Sequence, residues 1–376
     1  MLTELVKTSY SKKDVIILLQ NLEGKVLILD TKEREELNQK GTHYSEMLPL
    51  EYVPTEKYME LYNESLKELS IDTANAVAIL SEKIMKRKNF KPVIVSLARA
   101  GTPIGILVKR YIWKKYRIEI PHYSISIIRG KGIDVAAMKY ILSKHSAEEI
   151  VFLDGWVGKG AINNVLNEAV KDLKERKISN DIAKLDSTLA VLSDPASVTD
   201  LYGTRQDFLI PSACLNSTVS GLISRTVKLK NMTDNEFHGA VYYKGNENFD
   251  YSEQFIQKVE DEFDNVDLNH FNPSVEEKNE DFKGIDEVNE IASKFSINDI
   301  NKIKPGVGET TRVLLRRLPD RILIKENAND KYVKHLLQLA KEKNIPVVFY
   351  NRKPSDEAIA SYDKLYYVGI DPNAQG

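Results

Sequence analysis

Three short polar loops carry the residues whose types and spacing are best suited to chemistry. The first follows the apolar run Val93–Leu97 and contains Arg99, Ala100 and Gly101 ahead of a predicted helix. Such a turn directs backbone N–H groups into open space beyond the strand, where a helix N-terminus favours an anion. Because arginine is a bidentate donor to phosphate oxygens, we predict that this loop and Ser96 bind phosphate. The alternative is an ordinary turn with a solvated arginine.

The second loop contains Arg129, Lys131 and Asp134, with glycines at positions 130 and 132. Glycine makes such a loop flexible, and a flexible basic loop can close over a charged substrate and exclude water. We predict that these three residues act in catalysis. The alternative is a surface turn with solvated charges.

The third loop contains Asp154 and Gly155, followed by Gly158, Lys159 and Gly160 at the start of another predicted helix. A carboxylate at a strand end can accept sugar hydroxyls, while a glycine-rich turn surrounds a phosphate. It is not a Walker loop, because no serine or threonine follows Lys159. This order of residues predicts a site for a ribose phosphate.

The single cysteine leaves two interpretations open. Cys214 lies among small hydroxyl and amide side chains, and a cysteine with a histidine elsewhere meets the minimal requirement for a thiolate nucleophile. His43 and His238 are the candidate bases, although His43 could equally contact phosphate or cap a helix. A small buried residue is the commonest role of a free cysteine. Other residues predicted to line a substrate site are Asp194, Asn216, Ser217 and Arg225.

The elements that must position these loops form an alternating pattern. Apolar runs predict buried strands at 93–97, 123–128, 150–153 and 188–193, with helices at 103–116, 136–145 and 161–177 between them. One or two helices over 55–87 precede the first strand. This alternation predicts an α/β fold with a parallel sheet, so the three loops should meet at its carboxyl edge.

A second, smaller α/β pattern follows an acidic stretch. It predicts helices at 309–318, 330–343 and 355–361 and strands at 321–325, 346–350 and 364–369. We therefore predict a first domain over 1–245, an acidic connector over 246–299 and a second domain over 300–376.

Composition narrows the class of protein. The chain has 376 residues, a net charge of −2 and one cysteine, so an internal disulfide framework is excluded and nucleic acid could bind only at a local basic patch. The N-terminus lacks an apolar signal core, and no apolar run approaches the roughly 20 residues that span a bilayer. These features predict a cytoplasmic protein without a membrane partner.

The loops SLARAGTPIG, IIRGKGID and VFLDGWVGKGAI resemble, in this order, those of type I phosphoribosyltransferases. The segments HYSEMLPLEYVP and RQDFLIPSACLNSTVSGLISRT and the domain layout resemble the StiP family more closely. Members of that family are associated with tellurite-resistance and stress clusters, are also described as cysteine proteases, and are often fused to a Pelota-type RNA-binding domain.

The resemblance implies an enzyme that binds a ribose 5-phosphate or nucleotide and forms or breaks an N-glycosidic bond, with Mg²⁺ as a companion of the substrate. By position, Arg99 would hold pyrophosphate, Asp154 the ribose hydroxyls and Gly158–Gly160 the 5′-phosphate, with Arg129 and Lys131 closing over them. The chain departs from the type I pattern at Asp154-Gly155, where two adjacent acids are usual. The cysteine protease using Cys214, and a non-catalytic nucleotide- or RNA-binding regulator, remain alternatives.

The C-terminal segments GVGETTRVLLRR, RILIKENAND and LAKEKNIPVVFYNRK resemble Pelota and ribosomal L7Ae-type RNA binders. In that family a Gly-x-Asn-Glu-x-x-Lys motif reads structured RNA. Gly306, Glu309 and Arg312 fit the motif, and Gly308 stands where asparagine is usual. The resemblance implies that structured RNA binds at these four residues.

Overall fold

The computed structural model describes residues 4–51, 54–268, 284–326, 328–350 and 367–370. In chain order, its strands are β1 (Ile16–Ile17), β2 (Gln20–Asn21), β3 (Leu27–Leu29), β4 (Met47–Pro49), β5 (Val93–Leu97), β6 (His122–Ile125), β7 (Ile127–Ile128), β8 (Gly132–Ile133), β9 (Ile150–Trp156), β10 (Leu189–Ser193), β11 (Tyr202–Thr204), β12 (Gly239–Ala240), β13 (Ile303–Pro305), β14 (Arg321–Lys325), β15 (Val347–Tyr350) and β16 (Tyr367–Ile370). Its α-helices are α1 (Thr31–Gln39), α2 (Glu56–Arg87), α3 (Gly101–Tyr116), α4 (Val135–Leu142), α5 (Ala161–Glu175), α6 (Ser252–Glu260), α7 (Gly284–Lys294), α8 (Val307–Arg316) and α9 (Asp330–Glu342).

The main sheet has six parallel strands in the order β1-β6-β5-β9-β10-β11. Alternate residues of its central strands enter different cores. Ile94 and Leu153 pack with α2, α3 and α6 on one face, whereas Val95 and Phe152 pack with α4 and α5 on the other. Coverage on both faces explains why these strands are continuous apolar runs. The prediction of an α/β fold with a parallel sheet is confirmed, and the phosphoribosyltransferase type of that fold stays a prediction.

One predicted strand differs from the sequence expectation, the edge strands β1 and β11 were not predicted, and the choice between one and two helices over 55–87 is decided. The segment 55–87 forms one helix, α2, because its apolar side chains continue without a breaker from Leu61 to Met85. The predicted strand 123–128 is divided, since β7 leaves the sheet and pairs antiparallel with β8. The basic loop is therefore the turn of a β-hairpin, in which Gly130 and Gly132 have positive φ angles of 76° each.

The C-terminal sheet is mixed, in the order β13-β16-β14-β15, and only the β14–β15 pair is parallel. One face packs on α7, through Leu323, Val288 and Ile291. The other face joins α8 and α9 to the same apolar core as α2. The predicted helix 355–361 and most of the predicted strand 364–369 lie outside the described residues.

Helices occupy both described ends of the predicted connector 246–299. Helix α6 buries Phe255, Ile256 and Val259 against the N-terminal core, and Arg110 bonds its Glu253 and Glu260 at 2.9 and 2.8 Å. Helix α7 packs on the C-terminal sheet. Glu253 of α6 and Asp286 of α7 are exposed, whereas Glu287 of α7 is buried. Among the described helices, none combines the length and the apolarity that crossing a membrane requires.

Candidate functional site

The loops after β5 and β9 are in direct contact at the carboxyl edge of the main sheet. A Cβ atom added to Gly101 would lie 2.6 Å from the Leu153 carbonyl oxygen and 3.0 Å from the Asp154 Cα. Only glycine allows this approach, because real Cβ atoms do not come so close to backbone. The anion-type turn Arg99–Gly101 and the carboxylate loop therefore share one edge, as the strand pattern predicts. We call this region the sheet-edge site.

Arg99 is held by a carboxylate that the sequence analysis missed. Its Nη1 lies 2.6 Å from Glu51 Oε1 and donates to the Ile223 carbonyl at 3.1 Å. Although burial raises the pKa of Glu51, the Arg99 charge and hydrogen bonds from Ser217 bring it below its ordinary value. Glu51 is therefore ionised and fixes the guanidinium at the strand end. Ser217, predicted to line a substrate site, donates its backbone N–H to Glu51 at 3.1 Å, and its role at a site stays a prediction.

Arg99 belongs to a cluster of three arginines, which we call the arginine cluster: Arg34, Arg99 and Arg225. Burial and the charges of Arg34 and Arg99 lower the pKa of Arg225 to about 10. The Nη2 atom of Arg225 donates to the carbonyls of Tyr44 and Met47 at 2.6 and 3.0 Å, while its buried Nε contacts no acceptor among the described residues. Repulsion among guanidiniums is relieved by an anion, so this cluster is a suitable place for phosphate oxygens.

The β7–β8 hairpin turn closes one side of the arginine cluster. The Tyr44 hydroxyl donates to the Arg129 carbonyl at 3.4 Å, and Lys131 Nζ lies 3.6 Å from Glu46 Oε1. His43 Nε2 would lie 3.4 Å from a Cβ at Gly130. Burial and the Lys131 charge lower the pKa of His43, so its ring is neutral at pH 7. Its Nδ1 caps the turn Tyr44–Glu46 by accepting from the Ser45 N–H at 3.3 Å.

Asp154 and Lys159 both have strongly shifted pKa values. Burial raises the pKa of Asp154 to about 7, against the lowering effects of the Gly155 N–H and Arg312, and Glu309 raises it further. Burial lowers the pKa of Lys159 to about 8, assisted by Lys304 and Arg129. Strongly shifted pKa values of an acid and a base in one loop are typical of functional sites. Arg129 thus links the third loop to the hairpin turn.

The start of α8 reaches the sheet-edge site from the C-terminal region. The Val307 N–H donates to the Asp207 carboxylate at 2.9 Å, and Lys159 Nζ donates to the Ile300 carbonyl at 2.8 Å. The Arg312 guanidinium carbon lies 5.9 Å from the centre of the Trp156 ring. The third loop and the start of α8 are therefore neighbours at the end of β9.

Three predicted site residues have structural partners instead. Ser96 is buried and hydrogen-bonds His122 Nε2 at 2.8 Å. Asp134 caps α4, accepting from the Ala137 N–H at 2.9 Å and the His238 N–H at 2.6 Å, although burial raises its pKa to about 7. Asp194 is ion-paired with Arg205 and accepts from two backbone N–H groups. Buried polar side chains with such partners hold loops in place. A direct role of Ser96, Asp134 and Asp194 in binding or catalysis stays a prediction.

Comparison with known families gives a direct result. Residues 8–260 match the family model described as "Tellurite-like stress resistance cysteine protease StiP", and residues 282–359 match the "PELOTA RNA binding domain". The protein "Cysteine protease StiP" of Acinetobacter baylyi is 34% identical over 351 residues, which cover 89% of this chain and 88% of that relative. This chain belongs to the StiP family. The resemblance inferred from the sequence is confirmed.

A further relative matches only a short part of the chain. The D-galactose/methyl-galactoside binding periplasmic protein MglB of Haemophilus influenzae is 57% identical over 37 residues, only 10% of this chain and 11% of that protein. No solved structure matches the chain.

Cys214 of this StiP-family chain is buried. Its Sγ lies 3.9 Å from Ser65 Oγ, and burial raises the pKa of the thiol to about 12. Each of the five described histidines hydrogen-bonds a group other than this thiol. His238, a candidate base, bonds Ser126 Oγ at 2.8 Å and has its pKa lowered to about 3 by burial. Among the described residues, Cys214 therefore packs as a small side chain of the hydrophobic core.

Of the four residues predicted to bind RNA, Gly306 and Gly308 line a small cavity together with Trp156 and Asp207. Gly306 and Gly308 are buried, and a Cβ on Gly308 would lie 3.7 Å from the Trp156 ring and 3.8 Å from Ala213. Glu309 and Arg312 are partly exposed, and their charges shift the pKa of Asp154 in opposite directions.

The sequence analysis missed Glu51, Asp207 and Trp156, although all three lie in segments that carry the family resemblance. Asn216 lies beside Ser217, and the Asn216 carbonyl accepts from Ser220 at 2.7 Å.

Proposed function

We propose that this StiP-family protein is a phosphoribosyltransferase-like enzyme that binds a phosphorylated ribose at the sheet-edge site. The observation that carries the proposal is the concentration of cations around one carboxylate loop. Arg99 and Arg225 act on each other electrostatically, as do Arg129 and Lys159, and Asp154 is near the contact of the two loops. A phosphorylated sugar combines the anions and the hydroxyls that these groups recognise.

Each group has a distinct part in this proposal. The arginine cluster holds pyrophosphate oxygens, and Lys159 with the Gly158–Gly160 backbone holds the 5′-phosphate at the start of α5. The Asp154 carboxylate accepts a ribose hydroxyl. In the reaction, the bond from ribose C1 to pyrophosphate oxygen breaks as a bond from C1 to a base nitrogen forms, or the reverse. The hairpin turn with Arg129 and Lys131 excludes water during this step.

Magnesium stays a prediction tied to the substrate. Among the described residues, no group of three or more histidine, cysteine or acidic side chains could hold a metal ion. Mg²⁺ is commonly bound by one or two carboxylates together with substrate phosphates and water. Asp154 fits that donor set, and phosphate oxygens would supply the rest. The ion would neutralise pyrophosphate charge as it departs.

Calorimetric titration with ribose 5-phosphate, 5-phosphoribosyl 1-pyrophosphate and nucleoside monophosphates, with and without Mg²⁺, tests the proposal. The expected result is saturable binding of at least one of them, weakened at least tenfold in Lys159→Met. Lys171→Met, on the exposed face of the same helix α5, is the matched control and should bind as the native protein does. Absence of binding by all three ligands at saturating concentrations would contradict the proposal.

A cysteine protease using Cys214 is the second candidate function, because the matching family model and the A. baylyi relative both carry that description. A nucleophilic thiolate requires exposure and a lowered pKa, whereas Cys214 is buried with a pKa of about 12. Protease activity would therefore need α8 and the turn Pro211–Cys214 to separate. Cleavage of an unstructured protein substrate that is lost in Cys214→Ala would favour this candidate over the first.

A further inference from the structure

The backbone at the start of α8 suits an anion, and a side chain of the first domain supplies one. The Val307 N–H donates to both carboxylate oxygens of Asp207, at 2.9 and 3.2 Å. A Cβ added to Gly306 would lie 3.5 Å from the nearer of these oxygens. Proteins commonly bind phosphate through the N–H groups of a helix start. The Asp207 carboxylate therefore occupies a place that is suited to an RNA phosphate.

An aromatic ring of the first domain covers the same turn. A Cβ on Gly308 would lie 3.7 Å from the Trp156 ring, and the Arg312 guanidinium carbon lies 5.9 Å from the centre of that ring. Proteins bind unpaired RNA bases by stacking them on aromatic rings or guanidinium planes. The Trp156 ring therefore occupies a place where a base could meet Arg312 and the glycine turn.

A row of ion pairs between α2 and α9 joins the two domains beside this turn. Lys334 Nζ lies 3.0 Å from Glu64 Oε1 and 2.5 Å from Glu68 Oε1. Lys331 Nζ lies 2.5 Å from Asp72 Oδ2. Because the three acids are spaced four residues apart on α2, they share one face of that helix. This acidic face offers the second domain the same sign of charge as a nucleic-acid backbone.

The docked arrangement combines a strong part and a weak part. Val307 and Leu315 are buried in the apolar core that includes α2, and the rings of Phe208 and Tyr332 lie 6.4 Å apart. The ion pairs join partly exposed side chains, so each contributes little and is weakened by salt. The apolar contacts therefore favour the docked state when RNA is absent, and the charged contacts can be weakened without changing the core.

We propose that Asp207 and Trp156 mask the RNA-binding turn of the second domain by occupying the places of a phosphate and a base. RNA binds after α8 has separated from the first domain, so the docked protein binds RNA weakly. The apparent affinity is the intrinsic affinity multiplied by the fraction of molecules with an open turn. This inference concerns RNA and does not depend on ribose phosphate binding at the sheet-edge site.

Fluorescence anisotropy of a labelled RNA hairpin with an internal loop, titrated with the full chain at low salt, tests the masking. Asp207→Ala removes the acceptor of the Val307 N–H and should tighten RNA binding about tenfold relative to the native protein, because a larger fraction of molecules is open. Adding Arg312→Gln to Asp207→Ala should remove most of this gain, because the unmasked turn then lacks its arginine.

A second variant changes only the acidic face of α2 and leaves the core intact. Glu64→Gln/Glu68→Gln/Asp72→Asn breaks the ion-pair row and should also tighten RNA binding. The matched control loses the same three charges at exposed positions of α5 and should bind RNA as the native protein does. It separates unmasking from a general gain in electrostatic attraction. This control is Glu168→Gln/Asp172→Asn/Glu175→Gln.

Tryptophan fluorescence gives a direct readout of separation. In Trp113→Phe the remaining tryptophan is Trp156, and RNA should shift its emission to longer wavelength as the ring loses its packing on Gly308. RNA binding without this shift overturns the inference. Native RNA affinity in Asp207→Ala overturns it too, and the α2 variant decides if circular dichroism shows that Asp207→Ala is unfolded. Absence of RNA binding by all of these proteins overturns the inference and leaves the proposed function to its own titration.

Discussion

Replacing Asp154 with asparagine should stabilise the protein at alkaline pH. The asparagine Oδ1 can still accept from the Gly155 N–H, so the local geometry is retained. What is removed is a carboxylate whose pKa burial raises from 3.8 to about 7. Because the folded-state pKa exceeds the unfolded value, the folded chain binds the proton more tightly. Native stability from this group is therefore lost as pH rises between about 4 and about 7.

The size of the effect follows from the shift. Each pKa unit corresponds to about 1.4 kcal/mol, so ionised Asp154 destabilises the folded state by up to about 4 kcal/mol at pH 8.5. At pH 5.5 the folded-state carboxyl is mostly protonated, and about half of that penalty applies. The gain in unfolding free energy of Asp154→Asn over the native protein should be larger at pH 8.5 than at pH 5.5, by about 2 kcal/mol.

Urea denaturation at these two pH values measures the difference. Asp286→Asn, an exposed change on α7, serves as the control and should show no such dependence on pH. An equal gain for Asp154→Asn at pH 5.5 and pH 8.5 would refute the reasoning, because it would mean that the carboxyl titrates alike in the folded and unfolded chains. Asp154→Asn should also bind ribose 5-phosphate more weakly than the native protein does, whereas a carboxyl with a purely structural role would leave this binding unchanged.

Three further outcomes are expected. Cys214→Ser should retain ribose-phosphate binding and change unfolding free energy by only about 1–2 kcal/mol, since the hydroxyl stays within reach of Ser65, and the native thiol should resist iodoacetamide until urea unfolds the chain. Structured RNA should compete with ribose 5-phosphate in a gel-shift titration, because Gly306 and Gly308 become accessible only when α8 leaves Trp156, and simultaneous binding would contradict this. Arg99→Met should lower stability by about 3–5 kcal/mol by leaving Glu51 buried without its cation, and Glu51→Gln in the same chain should recover part of the loss in denaturant titrations.

The four inner strands of the main sheet could be predicted from local patterns, whereas the short edge strands β1 and β11 could not. Strands β5 and β10 are continuous apolar runs, and Gly160, with φ of 78°, directly precedes helix α5, so apolar periodicity and glycine positions locate these elements within a few residues. The division of 123–128 into β6 and β7 could not be predicted in this way, because all of these residues are buried and no glycine or proline marks the break at Ser126.

The site was only partly predictable for a different reason. Strand ends and glycines place Arg99 and Asp154 at one edge, since the sheet topology alone brings them together. The pairing of Arg99 with Glu51, and the approach of α8 to Trp156, join residues far apart in sequence. No local pattern encodes such contacts. A resemblance to RNA-binding proteins directed attention to the α8 turn as an exposed edge, whereas the structure uses it to cover the first domain.

The shared core of α2 and α8 has a consequence for synthesis of the chain. The Tyr58 hydroxyl on α2 donates to the Leu315 carbonyl at 2.7 Å, across a sequence separation of 257 residues. At roughly 5–20 residues per second, the ribosome needs roughly 10–50 s to deliver that partner after α2 has emerged. During this interval the first half of α2 lacks its partner from α8, so its apolar stripe is open to chaperones. The segment around Leu315 thus completes a core whose other parts are made much earlier, so truncated products that end before α8 would remain recognisable to quality-control proteases.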